Sequence, residues 1–97
     1  MPTFEVLPRF AAALDELTSE QRRRFRRVVR GAFVPDLRTG KFRAGLRVKG
    51  VRAAPGVYEL TWAPDGRATW EYGPERICGS RHIVWRRIGR HDVLSGP

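Results

Sequence analysis

The sequence predicts one α+β domain spanning residues 1–97, with an N-terminal helix hairpin packed on one face of a twisted, mainly antiparallel sheet of about four strands. Three observations lead there. Apolar residues recur at helical spacing in the first third and at alternate positions afterwards, and no repeat or low-complexity tract interrupts either pattern. A chain of 97 residues fits a single core. At 11.1 kDa it buries roughly 65% of its unfolded surface, enough for that core without a disulfide framework.

Thr3 to Leu7 suits a short first strand, and Pro8 suits the first turn of a helix through Leu17. Thr18 or Ser19 is the N-cap of a second helix, with Thr18-Ser19-Glu20-Gln21 as its capping box. That helix places Phe25, Val28, Val29, Ala32 and Phe33 on one stripe, and Arg22, Arg23, Arg26, Arg27 and Arg30 over much of the remainder. Val34 to Gly45 contains Pro35, Gly40 and Gly45 and is expected to be a turn-rich connection with room for one short helical turn. A loose strand is expected over Leu46 to Val51. Val57 to Trp62 and Arg67 to Tyr72 then alternate clearly around an Ala63-Pro64-Asp65-Gly66 turn, with Tyr58, Leu60, Trp62, Trp70 and Tyr72 inward. After a loop from Gly73 to Ser80, His82 to Ile88 is apolar on both sides and is expected to lie centrally.

Nineteen Lys+Arg against ten Asp+Glu give a net charge of +9, and seventeen of those cations are arginine. Such a charge favours nucleic acid or an acidic protein as partner. Guanidinium groups sharpen this, because they hold phosphate or carboxylate bidentately. The single cysteine, Cys78, forms no internal bridge. No leader-like or membrane-spanning apolar run is present, so a cytoplasmic protein without membrane association is expected. Cys78, His82 and His91 lack the paired spacing of a metal site, so neither metal nor small-molecule cofactor is expected.

Leu46-Arg47-Val48-Lys49, Pro55-Gly56-Val57-Tyr58-Glu59-Leu60, Ala68-Thr69-Trp70-Glu71-Tyr72 and the closing Ile88-Gly89-Arg90-His91-Asp92-Val93-Leu94 resemble, in order and spacing, the RelE/ParE superfamily of type II toxin-antitoxin systems. The resemblance covers nearly the whole chain. It implies a basic toxin bound by a cognate antitoxin, which cleaves mRNA on the ribosome and so inhibits translation. The Gly89-Arg90-His91 pattern is more similar to the RelE and YafQ-like endoribonucleases than to the gyrase-directed ParE branch.

What the resemblance implies for the site is a catalytic histidine at His91 and, four residues earlier, an arginine at Arg87. Metal-independent RNA cleavage needs a base at the 2′-hydroxyl, an acid at the departing 5′-oxygen and cations on the phosphate. Imidazole exchanges protons near neutrality, so His91 is the candidate acid, and Glu59 is the candidate base, with Glu71 as the other carboxylate considered. Arg67, Arg86, Arg90 and Lys49 are the candidate substrate-binding cations. Simple alternation puts Arg87 on the side of Ile83 and Trp85 and Arg86 on the other, which leaves open which one faces substrate. Glu59, Thr61 and Thr69 stand where RelE is basic, and this keeps a non-catalytic binding module as the alternative, alongside a gyrase-directed toxin.

Overall fold

A residue without an N–H is tolerated in the first turn of a helix, and Pro8 takes that place. In the computed structural model, which describes residues 2–97, strand β1 (Thr3–Val6) leads through extended Leu7 into helix α1 (Pro8–Glu16). Helix α2 (Ser19–Val28) follows. Thr18 caps it: its hydroxyl accepts from the Gln21 amide at 3.1 Å, and the Gln21 side chain accepts from the Thr18 N–H at 2.8 Å. Arg22 donates back to the Asp15 and Leu17 carbonyls at the open end of α1, so the bend is fixed from both sides.

The helix expected to reach Phe33 does so, its last residues forming one π turn (Val29–Phe33). The expected connection from Val34 then opens with a further helix, α3 (Val34–Thr39), which continues directly from that turn. Pro35 explains the wide turn. In a regular helix its ring would strike the Gly31 carbonyl and leave it without a donor. Widening the ladder relieves this, with Val34 donating to the Val29 carbonyl five residues back. Gly40, at φ 75°, ends α3 in the left-handed region and donates to the Asp36 carbonyl at 3.0 Å. Asp36 then clamps the returning loop, its Oδ2 accepting from the Arg43 amide and Nε at 2.8 Å each. The Arg43 guanidinium, and after it the Arg43 amide, hold the Asp36 carboxyl down at about 2.

Strands β2 (Lys49–Gly50), β3 (Val57–Ala63), β4 (Gly66–Ile77) and β5 (Ser80–Gly89) join β1 in one five-stranded sheet of order β1-β5-β4-β3-β2. β1 runs parallel to β5 and every other pair is antiparallel. β5 is therefore central, as its two apolar sides predict. Three expectations are corrected. There are five strands instead of about four, because the N-terminal strand adds itself beside β5. The strand over Leu46–Val51 shrinks to two residues, since Ala44–Leu46 is a 3-10 turn and Arg47 sits at φ 48°, which no extended run tolerates. The loop from Gly73 to Ser80 is a hairpin arm, with Ile77 paired to Ser80 around a Cys78-Gly79 turn in which Gly79 has φ 83°.

Alternation sends Leu60, Trp62, Ala68, Trp70, Ile83 and Trp85 to the helix side, where Phe10, Phe25 and Phe33 insert among the indoles. Phe25 lies 5.4 Å from Trp85 and 5.9 Å from Trp62, and Phe33 lies 5.0 Å from Trp70, all edge-on. Each such pair adds about 0.5–1.5 kcal/mol beyond burial. Trp62, Trp70 and Trp85 are thus core residues. Tyr72 reaches only the margin, 38% exposed beneath the Arg81 guanidinium. No helix among the described residues is long and apolar enough to cross a membrane.

Gly66 is buried in the β3–β4 turn, and a Cβ there would stand 2.6 Å from Trp62 Cε2. Because Phe25 pins the indole, Gly66→Ala is expected to cost about 1–3 kcal/mol. Denaturant unfolding measures it; an unchanged midpoint would show that the indole has room to move.

Candidate functional site

Trp85 and Ile88 are both buried, yet two residues between them put strict alternation at odds with a shared side. β5 resolves this with a bulge. Thr69 pairs with Arg87 while Trp70 pairs with Trp85, so Arg86 is the extra residue. Both arginines then turn away from the helices, where Arg86 pairs with Glu71 and Arg87 donates to the Gly96 carbonyl. The choice between them dissolves: both face the open side, and the placement of Arg87 beside Ile83 and Trp85 is corrected.

On that side Lys49 pairs with Glu59, Glu59 with Thr69, and Thr69 with Arg87, across four strands. Neighbours in such a row stand roughly 4.5–5.5 Å apart. The expected base, Glu59, is 6% exposed, with its carboxylate 3.9 Å from Lys49 Nζ. Thr69 is wholly buried. The open face is accordingly less open than alternation implies, because the chain folds back over it after β5. A 3-10 turn (His91–Leu94) buries Val93, whose Cγ1 lies 3.0 Å from where a Cβ on Gly89 would be, and Ser95–Pro97 then crosses the arginines. Pro97's main-chain oxygen accepts from Thr69 Oγ1 at 3.4 Å, Arg86 Nε at 3.0 Å and Arg9 Nη2 at 3.2 Å.

The remaining candidates sit outside the row. Arg67 spends its Nη1 on the Ala63, Pro64 and Gly66 carbonyls of its own turn, at 3.0–3.4 Å. His91 and Arg90 are exposed at the rim, where they line a shallow depression with Asp65, Arg67 and Asp92. The His91 side chain makes no hydrogen bond among the described residues. Two of the three expected catalytic residues, Glu59 and Arg87, therefore share one row, and the third does not.

Sequence reasoning missed two groups. One is Arg9, brought to Arg86 and Arg87 by β1, since Val6 pairs with Trp85 and Leu7 donates to the Trp85 carbonyl at 3.0 Å. The other is His82, buried with Nδ1 at 2.7 Å from Thr3 Oγ1 and Nε2 at 2.7 Å from Glu5 Oε1, while Arg76 also reaches Glu5 at 2.8 Å. The His82 bond, ahead of Arg76, holds the Glu5 carboxyl below its ordinary value. Thr3 and Glu5, two apart on a strand, were the only signal of a shared partner. The α2 cations divide as well: Arg22 and Arg24 hold main-chain carbonyls, whereas Arg23, Arg26, Arg27 and Arg30 line an exposed shallow surface.

The fold is that of the RelE/ParE toxins. The chain is similar to the YoeB/ParE toxin from Agrobacterium tumefaciens, with a TM-score of 0.67 at 8% identity over 92% of this chain and 98% of that one. It is similar to the DinJ-YafQ toxin-antitoxin complex from E. coli, with a TM-score of 0.65 at 12% identity over 96% of each chain. Against the RelB-RelE antitoxin-toxin complex from Methanococcus jannaschii the TM-score is 0.57 at 13% identity over 94% of each chain. No family model matches the sequence, and no curated protein matches it either. At these identities the likeness establishes the fold.

His82→Leu removes both hydrogen bonds that tie β1 to β5 through side chains. A lower thermal midpoint and faster amide exchange in β1 are expected. Because its folded value is lowered, Glu5 stabilises the native state above its ordinary value of 4.5, and this contribution is lost as pH falls through the lowered value. The acid-side decline should flatten in His82→Leu; an identical pH profile would refute the coupling.

Proposed function

We propose that this chain is the toxin of a type II toxin-antitoxin pair and acts as a ribosome-dependent endoribonuclease on mRNA in the cytoplasm. The observation that supports this reading is the Glu59–Thr69–Arg87 row with Arg86 beside it, a carboxylate and two guanidinium groups on one side of a RelE/ParE-like sheet. In the reaction, Glu59 accepts the proton of a 2′-hydroxyl as its oxygen attacks the adjacent phosphorus. Arg87 and Arg86 take up the additional negative charge of the phosphorane. The phosphorus–5′-oxygen bond then breaks, with His91 swinging from the rim to protonate the leaving oxygen, giving a 2′,3′-cyclic phosphate and a 5′-hydroxyl. No step calls for a metal or cofactor. RelB and DinJ are bound to the toxins in the solved complexes; an antitoxin of this chain would cover the same sheet face.

A second reading, a binding module without cleavage, is favoured by a specific observation: Glu59 is buried beside Lys49, and His91 stands off the row.

Purified ribosomes programmed with a defined mRNA separate the two. Cleavage by the full chain is expected, falling about 10²–10⁴-fold in Glu59→Gln and His91→Ala and about 10²–10³-fold in Arg87→Gln. Arg27→Gln, on the exposed helix surface, serves as control. Ribosome binding with intact mRNA would establish the second reading, and cleavage indifferent to all three substitutions would remove this site from the chemistry.

A further inference from the structure

Arg9 of α1, Thr69 of β4 and Arg86 of β5 all donate to the Pro97 main-chain oxygen, at 3.2, 3.4 and 3.0 Å, and Arg87 donates to the Gly96 oxygen at 2.7 Å. One main-chain oxygen has two lone-pair directions, and here three donors crowd upon it. A phosphate group, with several charged oxygens, satisfies such a set more completely. Among the described residues, Arg86 has a side-chain carboxylate partner in Glu71, whereas Arg9 and Arg87 pair with no Asp or Glu. The oxygens of Gly96 and Pro97 thus stand where anionic oxygens would.

We infer that Arg9, Thr69, Arg86 and Arg87 form a phosphate-binding cradle which the chain's own segment Ser95–Pro97 occupies, so that a polynucleotide phosphate enters as that segment leaves. The identity of the polymer rests on the endoribonuclease reading; the cradle rests on the donors alone. The segment is lightly held. Val93 is its apolar anchor, Ser95 turns back on the Asp92 carbonyl at 2.8 Å, and Ser95 and Gly96 are exposed. An intramolecular occupant of this kind raises the apparent dissociation constant by the inverse of the fraction of time it is away. Arginines otherwise free to grip any polyanion are thereby kept satisfied until a better ligand arrives.

The test uses the full chain and inorganic pyrophosphate at constant ionic strength, so that diffuse attraction to a +9 protein is held fixed. Saturable binding is expected, during which the Ser95 and Gly96 amide resonances move towards those of a released segment. Arg9→Gln weakens binding about two- to fivefold, and Arg27→Gln leaves it unchanged. A Cβ on Gly96 would lie 3.4 Å from Arg87 Nη1, so Gly96→Asp tightens the occupant and weakens pyrophosphate about two- to fivefold, while Val93→Ser loosens it and strengthens pyrophosphate. Should Val93→Ser fail to fold, Gly96→Asp decides alone, and unchanged affinity in it overturns the inference. Ser95 and Gly96 amides that stay in place at saturation overturn it too. Pyrophosphate needs no ribosome, so absent mRNA cleavage would sink the endoribonuclease reading and leave the cradle standing. Cleavage with an unmoved segment would do the reverse.

Discussion

Strand β5 presents Trp85 and Ile88 to one apolar layer although two residues separate them, and the bulge at Arg86 is how the backbone meets that demand. The side chains of Arg86 and Arg87 consequently emerge together on the opposite side. Adjacent guanidinium groups on a partly buried surface repel one another and require acceptors. Glu71 supplies one, and the oxygens of Gly96 and Pro97 supply the others. The path of the last residues across the sheet follows from the packing of two residues on its far side.

The row of polar groups inherits its rigidity from the same core. β4 alternates Trp70, fully buried among Phe33, Phe42 and Tyr58, with Thr69 and Glu71 on the other side, so the aromatic contacts fix the backbone that carries the row. The parallel pairing of β1 adds a second constraint. By placing Val6 opposite Trp85 it delivers the start of α1, and with it Arg9, to the bulged end of β5. His82, joined to Thr3 and Glu5, secures this pairing towards the opposite end of β1. A strand of four residues would otherwise be a weak edge.

Much of this was legible in the residues. Pro8, the Thr18 capping box and the alternation of Val57 to Tyr72 each specify local geometry through one steric or hydrogen-bonding rule, and the structure has all three. What was not legible depends on contacts distant in sequence. Pro35 reads as a helix terminator, and only the π turn, stabilised by the burial of Phe33 at its end and of Leu37 in the helix beyond, lets the helix pass. Outward alternation marked Glu59 and Thr69 as solvent-facing, because nothing local shows that another part of the chain lies on them. The bulge did leave a trace: Trp85 and Ile88, three positions apart and both large and apolar, cannot share a side in a regular strand. Arg9 left none, being 77 residues from Arg86 in the sequence.

The net charge of +9 is therefore not one property but several. Arg22, Arg24, Arg43 and Arg67 are fixed in place by carbonyls or a carboxylate and act as structural donors. Arg23, Arg26, Arg27 and Arg30 remain on an exposed helix surface, where their field acts over a Debye length of about 8 Å at physiological salt and speeds encounter with an anion without orienting it. Arg9, Arg86 and Arg87 are few, convergent and already engaged. Steering scales with the number of charges, whereas positioning scales with how completely a ligand replaces the acceptors it displaces. On the proposed reading, a phosphodiester that reaches the sheet would exchange against oxygens already held at 2.7–3.2 Å by these three arginines, and the selectivity of the face would lie in that exchange and not in the overall charge.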